Sequence, residues 1–148
     1  MAAIIAGAMA VCTPVASGEP PACLHSAAAR FGHDAGLLEA IGHVESGWDC
    51  TATSKANGDG SYDIGCLQIN SSWLPLLRRK FGLSKADLMS PCININVGAW
   101  ILAKNKQQFG DTWRAVGAFN AASESKRITY AWKVNSKLAG SGVGSAAR

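Results

Sequence analysis

Between residues 50 and 66 this chain departs from the pattern that governs the rest of it. Thr51, Thr53, Ser54, Asn57-Gly58, Asp59-Gly60 and Ser61 are turn formers, and Asn-Gly and Asp-Gly favour tight hairpin turns. On either side, apolar residues recur at helical spacing. Cys23 to Phe31 predicts a first helix, stopped by Gly32. Asp34 is a good N-cap for a second, which carries Leu37, Leu38, Ile41, Val44 and Trp48 and is closed by Gly47. Ser71 or Ser72 predicts the cap of a helix to Phe81, and Ser84 that of a short turn ending at Pro91. A long apolar helix follows from about Ile93 to Phe109, then one capped by Asp111 to about Ala121, then one from Ser123 to about Leu138. Strands and helices do not alternate and no repeat is evident. The class is mainly α, with one small β or turn-rich excursion at about residues 50–69.

A length of 148 residues suits one domain with a real core. Apolar residues make up 48% and charged ones 16%, a globular balance. The net charge of +4 suits an anionic partner, although ordinary surface lysines explain it equally well. No run of like charges is long enough for a nucleic-acid arm, so no nucleic acid is expected. Residues 1–17 read as a secretory signal, because Ala2 to Ala16 is almost wholly apolar or small and Val15-Ala16-Ser17 offers a cleavage site. No Lys or Arg follows Met1. The segment is shorter than the roughly 20 apolar residues that span a bilayer, so no transmembrane anchor is expected. The expected layout is a leader at 1–17, one domain at 18–139 and a flexible Gly/Ser/Ala tail at 140–148. A monomer in the periplasm or outside the cell is the expected form.

Cys12 falls in the leader, in a poor context for lipid attachment. Cys23, Cys50, Cys66 and Cys92 remain, an even count that suggests disulfides in an exported chain. Spacing leaves all three pairings open. Nothing matches zinc-ligand spacing, and no metal or cofactor is expected.

Elimination narrows the acids. Asp34 and Asp111 are placed as caps, Glu124 falls in a first helical turn, Glu39 is offset from its helix's apolar stripe, and Asp87 lies in a short polar turn. Glu19 lies near the start, and Glu45, Asp49, Asp59 and Asp63 remain. Glu45 follows Ile41 by four and Leu38 by seven, so it shares their inward face, and it lies near a helix C-terminus. Burial and the helix dipole both disfavour its charged form and push its pKa upward. A carboxyl protonated near neutrality is what a general acid for glycoside cleavage requires.

Around Glu45 the chain resembles the lytic transglycosylases, lysozyme-like enzymes that cut bacterial cell-wall glycan, over about Cys23 to Val134. Four motifs in order carry the resemblance: Glu45-Ser46, Ala52-Thr-Ser54, Gly65-Cys-Leu-Gln68 and Ala118-Phe119-Asn120, followed by Tyr130. The family reads Ala-Tyr-Asn at the fourth, so Phe119 lacks one phenolic hydroxyl. The resemblance implies an α+β lysozyme-like fold. It implies Glu45 as sole catalytic acid and base, and Ser46, Ser54, Gln68, Phe119, Asn120 and Tyr130 as substrate-binding residues, with Tyr130 also beside Glu45 to orient or protonate it. It implies peptidoglycan as substrate, cut between N-acetylmuramic acid and N-acetylglucosamine by attack of the sugar's own 6-hydroxyl, leaving 1,6-anhydromuramic ends. It also implies a link to secretion, conjugation or pilus machinery. It favours Cys23 paired with Cys92, leaving Cys50 with Cys66 as an added pair.

Two other outcomes stay open. Asp63, in Ser61-Tyr-Asp63-Ile-Gly65, reads as a structural acid of the β turn, but could serve as the second carboxylate of a lysozyme-type hydrolase. The chain could also be a non-catalytic wall-binding assembly factor. Of Trp48, Trp73, Trp100, Trp113 and Trp132, most are expected in the core, with Trp73 and Trp48 touching a cleft. His25, His33 and His43 form no cluster, and a disulfide accounts for Cys66 better than a thiol-peptidase pairing with His43 does.

Overall fold

The computed structural model describes residues 18–140; the leader at 1–17 and the tail from 141 lie outside the described residues. Among the described residues seven α-helices and one two-stranded sheet follow in order: α1 (Leu24–Phe31), α2 (Ala35–Glu45), β1 (Asp63–Ile64), β2 (Ile69–Asn70), α3 (Leu74–Phe81), α4 (Lys85–Leu88), α5 (Pro91–Phe109), α6 (Trp113–Gly117) and α7 (Glu124–Gly140). The mainly α class with a small β excursion is the observed architecture.

Local chemistry accounts for most boundaries. Asp34 Oδ1 accepts from the Leu37 amide and caps α2, and Ser84 and Asp87 form a reciprocal capping box on α4. Pro91 occupies the first turn of α5, where its missing N–H costs nothing. Two caps differ from expectation. Asn70, rather than Ser71 or Ser72, caps the 3-10 turn Ser71–Trp73 that leads into α3. Asp111 does not cap α6: its carboxylate lies 2.8 Å from Lys106 Nζ, and the helix starts one residue later, behind Thr112. The helix α6 is also shorter than expected, because the chain turns at Phe119 and Asn120.

The turn-rich stretch folds back on itself twice. Residues 52–54 run beside 63–65, with Ser54 N–H donating to Asp63 O and Gly65 N–H to Ala52 O, and Asn57 to Ser61 close the loop between them. A second reversal, Gly65 to Gln68, joins β1 to β2 in the register Asp63 with Asn70 and Ile64 with Ile69.

The core is continuous. Leu24 and Ala27 of α1, Leu38 and Ile41 of α2, Ile64, Leu67 and Ile69 of the hairpin, and Ile95 and Leu102 of α5 are all fully buried. The long α5 supports α1 on one side and α6 on another, and α7 packs across α2 and α6. Trp48 belongs to this core and not to any cleft: it is 3% exposed, and its indole lies where a Cβ on Gly42 would stand, at 2.3 Å. Trp113 and Trp132 go the other way, 45% and 66% exposed. His33 is buried with Nε2 2.8 Å from the Ala99 carbonyl oxygen, while its Nδ1 is buried without a hydrogen-bond partner. The disulfides are Cys23–Cys92 and Cys50–Cys66.

One polar group sits at the centre. Asn94 of α5 is fully buried; its Oδ1 accepts from the Leu67 amide at 2.9 Å, and its Nδ2 donates to Ile64 O at 2.8 Å and Leu88 O at 2.9 Å. Gly65, at φ 73°, lies so close that an added Cβ would stand 2.4 Å from Asn94 Nδ2. Asn94→Ala strands one buried donor and two buried carbonyls, so we expect a loss of about 3 kcal/mol or more by urea denaturation, since each unsatisfied group costs about 1–3 kcal/mol. A loss under about 1 kcal/mol would show that the surrounding chain repairs these bonds unaided.

Candidate active site

Glu45 is the last residue of α2, and the backbone reverses immediately after it at Ser46 and Gly47. Tyr130 of α7 reaches it across the packed helices, its hydroxyl donating to Glu45 Oε1 at 2.5 Å. Asn120, from the turn after α6, hydrogen-bonds the same carboxyl. Helix α2 thus presents the acid, and α7 and the 118–122 turn hold it.

Burial pushes the Glu45 pKa up from 4.5 to about 7, and the negative charge of Asp63 adds to the rise; the bonds from Tyr130 and Asn120 oppose it. Tyr130 is buried beside that carboxylate, and both effects raise its pKa, so it remains a protonated donor. Near neutrality Glu45 can therefore both give and take a proton.

The acid opens onto a cleft of about 770 Å³. One wall is the hairpin region, with Asn57, Asp63, Gln68 and Asn70; the floor is α5, with Ile101, Asn105 and Phe109; the other wall is residues 118–122 with Lys126 and Arg127. Of the expected site residues, Glu45, Gln68, Phe119 and Asn120 line this cleft, and Tyr130 stands behind Glu45, 5% exposed. Trp73 lines it too, as expected.

Ser46 and Ser54 are not among its lining residues. Ser46 Oγ donates to Cys66 O at 2.7 Å and ties the end of α2 to the Gly65–Gln68 turn. Ser54 Oγ accepts from the Asp63 amide at 2.8 Å and faces Asp63 Oδ2 at 3.2 Å. Gln68 adopts φ 45°, a left-handed conformation that costs a non-glycine residue energy and recurs at functional sites. Its Nε2 donates to Gly65 O at 2.9 Å and Ala52 O at 3.3 Å, which leaves the amide oxygen as the group it can offer a ligand.

Asp63 lines the cleft with both carboxylate oxygens hydrogen-bonded within the protein. Oδ1 accepts from Asn70 Nδ2 at 2.8 Å, and Oδ2 from Ser54 Oγ and, at 3.5 Å, from Asn57 Nδ2. These bonds join the two hairpins, the structural role read from its sequence context. Sequence reasoning missed Asn94 and Asn70; an asparagine within the apolar run of α5 was the available signal for the first. Among the described residues no group of His, Cys, Asp and Glu could hold a metal ion.

Residues 22–137 match the family described as Transglycosylase SLT domain. The chain belongs to that family. It is 41% identical over 106 residues to the invasion protein IagB of Salmonella typhimurium, covering 71% of this chain and 65% of that one. It is 36% identical over 114 residues to protein IpgF of Shigella flexneri, covering 74% of each. A peptidoglycan-binding-like protein of Escherichia coli O157:H7 is 34% identical over 124 residues, covering 76% of this chain and 74% of that protein. The crystal structure of an inactive mutant of the lytic transglycosylase Slt from Pseudomonas aeruginosa superposes with a TM-score of 0.66 over 82% of this chain and 24% of that one, at 24% identity. That likeness establishes the lysozyme-like fold of this SLT domain.

Two outcomes follow from the site. Glu45 has its pKa raised in the folded state, so the folded protein holds that proton more tightly than the unfolded chain. Stability from this group is fully present below about pH 4.5 and is lost as pH rises towards about 7. Glu45→Gln should therefore be more stable than wild type at pH 8, by up to about 3 kcal/mol, and much closer to it at pH 4 in thermal melts. The Cys50–Cys66 bridge ties the end of α2 to the Gln68 turn, and a loop of that size is worth about 3 kcal/mol in the chain-entropy model. Mild reduction should lower turnover before circular dichroism reports unfolding; simultaneous loss of both would show that the bridge only stabilises.

Proposed function

We propose that this SLT-family protein is an exported peptidoglycan lytic transglycosylase. The observation that carries the reading is the Glu45 carboxyl, half-buried at a helix end and held by Tyr130 and Asn120, where desolvation pushes its pKa up to about 7. In its protonated form Glu45 donates to the glycosidic oxygen between N-acetylmuramic acid and N-acetylglucosamine, and the C1–O bond breaks. The resulting carboxylate then takes the proton of the muramic 6-hydroxyl as that oxygen bonds to C1. Glu45 is reprotonated, no water is consumed and a 1,6-anhydro end is formed. Tyr130 keeps the carboxyl aimed, since it is a donor whose own proton is held tightly. The Gln68 amide oxygen, Asn120 and the Phe119 ring are the groups we assign to sugar positioning, with Ser46 and Ser54 acting behind them by holding the hairpin.

A periplasmic or secreted location fits the two disulfides, which persist in oxidising compartments. No helix among the described residues is long and apolar enough to cross a membrane. Local wall opening during assembly of a secretion, conjugation or pilus apparatus is the role we favour, supported by the relative named an invasion protein.

A second reading rests on Asp63, which lines the same cleft and whose charge reaches Glu45: a hydrolase that uses both acids on water. The three donors around Asp63 favour the first reading. Digestion of purified peptidoglycan should release 1,6-anhydromuramic ends by mass spectrometry. Reducing ends alone would establish the hydrolase and give Asp63 a catalytic role. Glu45→Gln should fold and lose about 10²–10⁴-fold or more of turnover, because an amide can neither give nor take the proton. Full activity in that variant would remove Glu45 from the chemistry, and a wild type that binds the wall without cutting it would mark a wall-binding factor.

A further inference from the structure

We propose that the shallow groove between α6 and α7 is a second glycan site, an extension of the catalytic cleft that holds peptidoglycan beyond the bond being cut. It rests on the peptidoglycan reading of the cleft and adds a place for the substrate that the family's motif residues do not include.

The groove encloses about 270 Å³ and is bordered by Trp113 and Arg114 of α6 and by Arg127, Ile128 and Trp132 of α7. Trp113, Ile128 and Trp132 are 45%, 54% and 66% exposed, in a chain whose other apolar side chains largely close a core. Grouped exposed aromatic residues of this kind mark binding surfaces. Indole faces suit the C–H faces of sugar rings and the methyl groups of stem peptides.

Charge points to the same occupant. From residue 113 to residue 137 the cations are Arg114, Lys126, Arg127, Lys133 and Lys137, and the only acid is Glu124. Glu124 Oε2 is already shared between Arg114 Nε at 3.1 Å and Arg127 Nη1 at 3.6 Å, one carboxylate for two guanidinium groups. A surplus of positive charge beside the indoles complements the free carboxylates of murein stem peptides.

The groove is also continuous with the cleft. Arg127 borders both cavities. Phe109 of the cleft has the Arg127 guanidinium 4.7 Å from its ring centroid and that of Arg114 at 5.4 Å. The border is thus an aromatic ring clasped by two arginines, a surface a polymer can cross. A glycan strand longer than the cleft has to leave it against protein or solvent, and here the adjoining surface offers stacking and charge.

The test uses sacculi and a short fragment. In a Glu45→Gln background, the full-length protein is co-sedimented with purified sacculi, alone and with Trp113→Ala and Trp132→Ala combined. The double change should weaken binding about three- to tenfold, the effect of losing one or two ring contacts, and Trp132→Phe should restore part of it. In the active protein, the ratio of turnover on sacculi to turnover on a four-sugar fragment should fall by a similar factor. An unchanged ratio, or equal losses on both substrates, overturns the proposal. So does a Trp132 emission shift on phosphatidylglycerol vesicles without any effect on sacculus binding, or a dimer in sedimentation velocity that Trp132→Ala dissolves; these would assign the face to lipid or to a second copy. Failure of the Glu45→Gln protein to sediment with sacculi overturns the groove and the peptidoglycan reading together. Sedimentation without cleavage by the unaltered protein removes only the enzymatic reading, and the tryptophan variants still decide the groove.

Discussion

Three hydrogen bonds made by one buried amide, two donated and one accepted, hold the cleft side of this structure together. Asn94 stands in the first turn of α5, the long helix that carries much of the core, and meets the backbone of two other segments, at Ile64 and Leu67 and at Leu88. Within the Gly65–Gln68 turn the Leu67 amide is met by Asn94, as is the Ile64 carbonyl just before it, so without that side chain these buried groups would lose their partner. The consequence passes outward. The turn fixed by Asn94 carries the Cys66 carbonyl that receives Ser46, and the sulfur bonded to Cys50, so the end of α2 is located relative to α5 through it. Gln68 is held in its left-handed conformation by the same turn.

Against that fixed frame, Glu45 is placed where a carboxylate is least comfortable. It closes a helix, faces apolar neighbours and lies within reach of a second negative charge. A chain selected for stability alone would place a neutral side chain there. Under the proposed function that cost has a use, because a proton that leaves near neutrality suits the cleavage of a glycoside. Tyr130 and Asn120 limit the shift by hydrogen-bonding the charged form, which keeps the group titratable and not permanently protonated. Asp63 shows the contrasting solution a short distance along the cleft, a carboxylate satisfied by neutral donors and built into the hairpin.

Arg127 gives the molecule a further division of labour. Its guanidinium reaches Glu124, the Ala121 carbonyl and the Phe109 ring, so it closes the 118–122 wall and faces the outer groove at once. Helix α7 therefore has two working sides, Tyr130 inward to the acid and Trp132 outward to solvent.

The helices, the turn-rich excursion and the candidacy of Glu45 were all legible in the order of residues, because periodicity, capping and turn chemistry are local and act through neighbours in the chain. Asp34 and Ser84 cap as their context dictates. Asp111 does not, since α6 starts behind Thr112 and the Asp111 carboxylate faces Lys106 instead. Trp48 reads as a cleft aromatic but is buried, because Gly42 leaves a space for it one turn back along α2. Ser46 and Ser54 carry the family's letters, yet their hydroxyls are used within the protein. The resemblance placed Tyr130 beside Glu45, and the structure supplies the hydrogen bond between them; only the tertiary structure decided which side chains share a cavity and that Asn94 joins three segments. Such contacts depend on helix packing and on the burial of polar groups, and neither is encoded at any single spacing along the chain.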